Sequence, residues 1–161
     1  MNTSNKNPVT KEGYDSIFRK ISQNKDILRN EVSKEIEHAR EQGEISENVA
    51  YHQARQRQEQ IEAKIAMLEE YLSAATIIDP REAFREDRVS FGIPTRLKNL
   101  DTDEEKVFRV VGEMESDVFS GKISFKSPLG KEILGKEVGE DVEVITPGGE
   151  RYWEILEVIY E

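Results

Sequence analysis

Two carboxylates three residues apart, Glu44 and Glu47, follow a glycine, Gly43, in the stretch AREQGEISENVAYHQARQR from Ala39 to Arg57. Tyr51, His52, Arg55 and Arg57 come next at helical spacing. Acids of this kind offer hard oxygen ligands, and the basic residues offer contacts to phosphate. Mg²⁺ keeps most of its waters and is typically held by one or two carboxylates plus substrate phosphates. Glu44 and Glu47 can therefore complete a metal site that another molecule begins. Arg55 lies eight residues past Glu47, about 12 Å along a helix, a reach that suits neighbouring phosphates. The same acids also suit a plainer role, because carboxylates near a helix N-terminus are favoured by the macrodipole and ordinarily face water. His52 has no second His or Cys at ligand spacing, the other histidine being His38, so a protein-only metal site is not expected.

The elements around this stretch must hold it out as a tip. Residues 1–9 are polar, end near Pro8, and read as a loose tail. Thr10 suits an N-cap and Glu12 the first turn of a helix. The apolar set Tyr14, Phe18, Ile21, Leu28, Val32, Ile36 and Ala39 steps mostly by four and three, with Ile17 and Ile27 beside it and Lys25 at one seam position. That is coiled-coil spacing. Gly43 is read as the stop, since glycine enters the left-handed conformation that ends helices. A second helix is expected from an N-cap at Ser46, with seam residues Ala50, Ala54, Arg57, Ile61, Ile65, Leu68, Leu72 and Ala75. Helices joined so closely must run antiparallel. Arms of about thirty residues give a hairpin roughly 45 Å long. Nothing at its end excludes water, so the tip suits a probe entering another molecule's pocket.

Asp79-Pro80 reads as the end of the second helix, because proline pushes the residue before it out of the α region. The expected division is thus a hairpin over residues 1–78 and a second domain over 79–161. In the latter, strands are predicted at Val89–Phe91, Thr95–Asn99, Val107–Val111, Lys122–Phe125, Val142–Ile145 and Tyr152–Ile159, with a short helix at Leu129–Leu134. The last two strands form a hairpin about Gly148-Gly149. The expected fold class is α+β, with an antiparallel sheet carrying one helix. Phe91, Phe108, Phe119, Phe125, Tyr152, Trp153 and Tyr160 are assigned to its core. The Pro147-Gly148-Gly149 turn lacks the lysine and following helix of a phosphate loop.

The chain has 161 residues, net charge −10 and no cysteine. Residues 1–78 hold eleven Lys+Arg against thirteen Asp+Glu, and residues 79–161 hold twelve against twenty. Such a balance argues against broad electrostatic binding to duplex nucleic acid. The absence of cysteine excludes disulfides and thiolate metal sites. No apolar run approaches membrane-spanning length, and MNTSNKNP lacks the apolar region of a signal peptide. Cytoplasm is the expected compartment, with no membrane partner.

From Ala39 to Arg55 the chain resembles the Gre family of bacterial transcript cleavage factors, GreA type, whose pattern is close to AREHGDLxENAEYHxAR. Further matches are Phe91-Gly92, Asn99–Glu105, Val110-Val111-Gly112, Ser127-Pro128-Leu129-Gly130, Leu134-Gly135-Lys136 and Thr146–Glu150, in order along the chain. The resemblance implies a coiled coil that enters the secondary channel of RNA polymerase and an FKBP-like C-terminal domain docked near its mouth. It implies that Glu44 and Glu47 are the tip acids, sharing the second Mg²⁺ with the polymerase and orienting the attacking water. The polymerase then hydrolyses the 3′ end of backtracked RNA. Arg55 falls on a residue implicated in RNA contact, and Arg57 and His52 are placed with it. Gly43, Asn48 and Tyr51 are assigned to support of the tip. The implied factor is a monomer with no nuclease activity of its own and no metal bound when free. One departure stands out: the first tip acid is commonly Asp and here is Glu44, one methylene longer. That departure motivates the alternative of a channel-binding inhibitor. A prolyl isomerase and a hairpin chaperone are the remaining readings, neither supported by a visible apolar site.

Overall fold

The computed structural model describes residues 7–159. Within these, the fold divides into two compact units: Asp15–Ala74, and the described part of Met1–Tyr14 together with Ala75–Glu161. The expected division at residue 78 is therefore displaced at both ends of the hairpin. The first six residues of the expected tail, and Tyr160, lie outside the described residues.

The second unit begins with what the sequence reading takes for tail. Asn7–Thr10 form strand β1, paired in parallel with strand β2 (Ala75–Ile78), so that Val9 lies opposite Ile77. Val9 is fully buried. Thr10 ends the strand and caps helix α1 (Lys11–Ile27), as its type allows: the Gly13 amide donates to Thr10 Oγ1 at 3.0 Å. Glu115 secures this junction by accepting from the Thr10 amide, the Thr10 hydroxyl and the Gly112 amide. A Cβ on Gly13 would overlap the Glu115 carboxyl. That overlap explains why a residue poor in helix propensity sits inside a helix.

The hairpin unit takes its first arm from α1, a π-helical turn at Leu28–Val32, and helix α2 (Ser33–Arg40). The buried positions are Ile17, Ile21, Val32, Ile36 and Ala39. Phe18, assigned to the seam, is 61% exposed, and its neighbour Ile17 takes the buried place. The inward residues Leu28, Val32 and Ile36 are spaced four apart, and each such step overshoots a regular α-helix by about 40°. The π turn absorbs this excess by winding more slowly. Its local cause is Ser33, whose hydroxyl bonds the Arg29 carbonyl, its usual α-helical acceptor, while its amide goes to the Leu28 carbonyl.

The second arm is helix α3 (Val49–Ser73), 25 residues long and shorter than expected. Lys25 pairs with Glu69 at 2.8 Å, while Arg57 pairs with Glu31 at 3.3 Å and with Glu35. Partners on one arm fall in number as those on the other rise, so the arms are antiparallel. Val32, Ile36 and Ala54 form the buried seam nearest the tip, with Tyr51 and Ile61 against it.

Asp79-Pro80 starts a helix rather than ending one. Asp79 accepts the Arg81 amide at 2.9 Å and caps the short helix α4 (Pro80–Ala83), with proline at its first position. A proline there gives up an amide that would have no partner anyway. The sheet comprises strands β3 (Pro94–Asn99), β4 (Glu105–Val111), β5 (Lys122–Ser124), β6 (Asp141–Thr146) and β7 (Gly149–Val158), in the order β5-β4-β3-β7-β6. Its pairs are antiparallel except β4 with β5, which run in parallel, so the sheet is mixed. The strand expected at Val89–Phe91 is absent among the described residues; Arg88 makes only an isolated bridge to Glu137. Helix α5 (Pro128–Ile133), capped by Ser127, buries Ile133 against Leu97, Val110, Val142, Val144 and Ile155. Phe91, Phe108, Phe125 and Trp153 join this core, but Phe119 is fully exposed and Tyr152 is 39% exposed, contrary to their assignment. No helix of the described residues is long and apolar enough to cross a membrane.

Candidate functional site

The hairpin ends between Arg40 and Val49. Gly43 has φ 159°, close to extended, so it does not close α2 with the left-handed geometry expected of it. Past it, Ile45–Glu47 form a single 3-10 turn, closed by the Glu47 amide on the Glu44 carbonyl at 3.3 Å. Glu44, in extended conformation, leads into that turn and Glu47 is its last residue, so the turn separates the two acids by three positions. Both are exposed, and among the described residues neither carboxylate has a hydrogen-bond or ion-pair partner. Ile45 and Val49 beside them are 51% and 68% exposed.

The N-cap of α3 is Asn48, two residues beyond the expected Ser46. Asn48 Oδ1 accepts the Tyr51 amide at 3.0 Å, while its Nδ2 donates to the Ala39 carbonyl on the opposite arm. One side chain thus satisfies an orphan amide of α3 and ties it to the Ala39 carbonyl at the end of α2, which also accepts the Gln42 amide at 3.2 Å. Tyr51 is half-buried against the seam, with the Arg40 guanidinium 5.7 Å from its ring centre and the His52 ring edge-on at 5.6 Å. Asn48 and Tyr51 therefore fix the base on which the two acids stand.

The basic residues separate into two kinds. Arg57 is committed across the hairpin to Glu31 and Glu35. Arg55 is exposed and among the described residues bonds only Gln58, one turn along its own helix. His52 is exposed, and His38 on the other arm meets Gln42 at 2.8 Å. Sequence reasoning missed Glu31 and Glu35 as the partners of Arg57. Their four-residue spacing and the seam position of Arg57 were the available signal.

Electrostatically, the tip carries an unpaired acid pair, followed along α3 by Arg55 with only an uncharged partner; the ion pairs across the arms, Lys25–Glu69, Arg57–Glu31 and Arg57–Glu35, lie away from it. Two carboxylates give hard oxygen donors but not a full coordination sphere. The described residues contain no group of three or more His, Cys, Asp or Glu able to hold a metal ion.

Family models match nearly the whole chain. The model described as transcription elongation factor, N-terminal, matches residues 7–77, and that described as transcription elongation factor, GreA/GreB, C-term, matches residues 85–160. Transcription elongation factor GreA of Nautilia profundicola is 44% identical over 97% of this chain and 96% of its own. Transcription elongation factor GreA of Helicobacter pylori strain 26695 is 41% identical over 98% and 95%. Among solved structures, GreA factor homolog 1 of Thermus thermophilus is 28% identical, covering 95% of this chain and 98% of its own, with a TM-score of 0.43.

Proposed function

Because the chain belongs to the GreA/GreB family of transcription elongation factors, we propose that it stimulates RNA polymerase to cleave backtracked RNA, supplying Glu44 and Glu47 to the polymerase active site. The observation that carries this reading is the pair of exposed, unpartnered carboxylates three residues apart on the terminal turn. What supports it is position: these two acids stand at the end of the hairpin with their oxygens uncommitted, whereas Glu31, Glu35 and Glu69 are engaged across the arms.

The hairpin enters the secondary channel tip first, and the sheet unit docks outside. The oxygens at the tip fit Mg²⁺, a hard cation that accepts one or two carboxylates and takes its other ligands from water and phosphate. When bound, Mg²⁺ supplies polarisation of the attacking water and neutralises charge on the phosphate. Glu44 and Glu47 hold and orient, while the polymerase and the RNA furnish the remaining ligands. Without a cation between them, these acids would repel the RNA phosphates. Arg55 exchanges its bond to the neutral Gln58 amide oxygen for an anionic RNA phosphate, which a guanidinium can grip with two parallel bonds. Asn48 and Tyr51 keep the turn from collapsing onto the arms. The factor has no nuclease activity of its own and acts as a monomer in the bacterial cytoplasm.

The test is a time course of RNA cleavage on stalled polymerase complexes, with and without the chain. Glu44→Gln and Glu47→Gln keep side-chain size and remove the charge. Each should depress cleavage steeply while polymerase binding holds, and the deficit should shrink as Mg²⁺ is raised. Full activity of the double variant at low Mg²⁺ would refute the metal-ligand role.

A further inference from the structure

Phe119 is 103% exposed and Val118 beside it 78%, although an isolated phenylalanine gains about 1.5–3 kcal/mol by being buried. The turn that presents them is tightly braced. Asp117 and Lys122 exchange backbone hydrogen bonds at 2.8 and 3.0 Å, closing the loop at its base. Asp117 Oδ1 accepts the Phe119 amide at 3.2 Å, and the Ser120 hydroxyl returns to the Asp117 carbonyl. Gly121 takes φ 77°, and a Cβ there would stand 2.6 Å from the Val107 carbonyl oxygen. Arg109 donates its amide to the Gly121 carbonyl at 2.8 Å, tying the turn to β4. Val107 on that strand is 44% exposed as well.

A rigid turn holding an aromatic side chain in water is a preorganised binding element, because little conformational entropy remains to be lost on docking. Aromatic residues of this kind dominate interface energetics. The partner's charge follows from the unit itself: residues 79–161 carry twelve basic against twenty acidic side chains. A complementary surface is basic around an apolar pocket. Building on the proposed function, we infer that the Val118-Phe119 turn anchors the sheet unit to RNA polymerase, with Phe119 filling an apolar pocket on a basic surface.

The experiment measures equilibrium binding of the full chain to RNA polymerase by competition with a fluorescent wild-type chain, beside cleavage titrated to saturation. The Phe119 side chain is fully exposed and the backbone bond to Asp117 survives its truncation, so F119A should fold normally, as circular dichroism would verify. Its Kd should rise about tenfold or more, as for an anchor residue worth at least 1.4 kcal/mol. Cleavage at saturating factor should match wild type, and F119L should bind with intermediate affinity. Added salt should weaken wild type and F119A in parallel. An F119A Kd within about twofold of wild type overturns the anchor. So does a variant that saturates at a lower cleavage rate, or one whose oligomeric state changes while its polymerase affinity does not; the last would make a second copy the occupant. Affinity insensitive to salt overturns the basic partner. If the wild-type chain fails to bind polymerase, the functional reading itself falls, a result distinct from wild-type binding that F119A leaves intact.

Discussion

Replacing Asn48 tests whether one side chain holds the tip together. Asn48→Ala removes the acceptor for the Tyr51 amide and the donor to the Ala39 carbonyl. Loss of an N-cap costs about 1 kcal/mol, and a lost intramolecular hydrogen bond costs about another 1 kcal/mol net. The sum, about 2 kcal/mol, corresponds to a roughly thirtyfold increase in local opening at the tip. A two-unit chain has no single well-defined melting free energy, so hydrogen exchange at named amides is the better assay. The Tyr51 amide, bonded to Oδ1, should exchange about thirty times faster in the variant. Amides in the middle of α3 should be unchanged. Asn48→Asp separates the two bonds, because aspartate caps as well as asparagine but has no amide hydrogen for Ala39. It should protect Tyr51 nearly as well as wild type while loosening the end of α2. Unchanged exchange at Tyr51 in Asn48→Ala would show that the cap contributes nothing and that the tip is held by the seam alone.

Four further outcomes are expected. Arg55→Ala should weaken cleavage more than Arg57→Ala, whose ion pairs are exposed and contribute at most about 1 kcal/mol to the hairpin; equal losses in a cleavage assay would place both on the RNA. Gly13→Ala should destabilise the sheet unit by about 2 kcal/mol despite alanine's better helix propensity, because it displaces a carboxylate that accepts charge-assisted bonds; chemical denaturation would detect it, and a gain in stability would count against the brace. Glu44→Asp should hold or raise cleavage if the longer side chain is a handicap, and a steep fall would mean the site is fitted to glutamate. The Tyr152 hydroxyl donates to Glu150 Oε2 at 3.1 Å, and that bond, with the negative charge of Glu143 and Glu150, raises the phenol above its ordinary pKa of 10.0. This interaction favours the fold below the ordinary pKa and fades as pH climbs through the raised value. Tyrosine ¹³Cζ NMR should show Glu150→Gln titrating earlier, and an unmoved curve would contradict the assignment.

The hairpin and its tip were legible because they rest on local rules: periodicity, short connection and a compact motif. The failures occurred where two local choices were equally good and a distant contact decided between them. Ser46 and Asn48 are both good N-caps, but only Asn48 has an amide that also reaches Ala39. Ile17 and Phe18 are both apolar, and the phase that buries Ile17 cannot be chosen from one arm alone. The strand at Asn7–Thr10 was invisible because it is short and its partner is remote in sequence. Residue type alone assigns Phe119 to the core, and type cannot distinguish a side chain that packs from one that is displayed. The role of Glu115 at Thr10 had no signal in the sequence, since the two lie 105 residues apart.

The slow turn at Leu28–Val32 bears on how this hairpin can change length. In regular winding, one inserted or deleted residue swings everything beyond it by about 100°. Here one surplus residue is already stored in a wide loop of the backbone, held open by the Ser33 hydroxyl. The turn works as an expansion joint: the arm can lose a residue at that point by reverting to ordinary winding, or keep it, while Ala39 stays level with Asn48. Variation in arm length among related chains is therefore expected to concentrate at this joint and to spare the seam on either side of it.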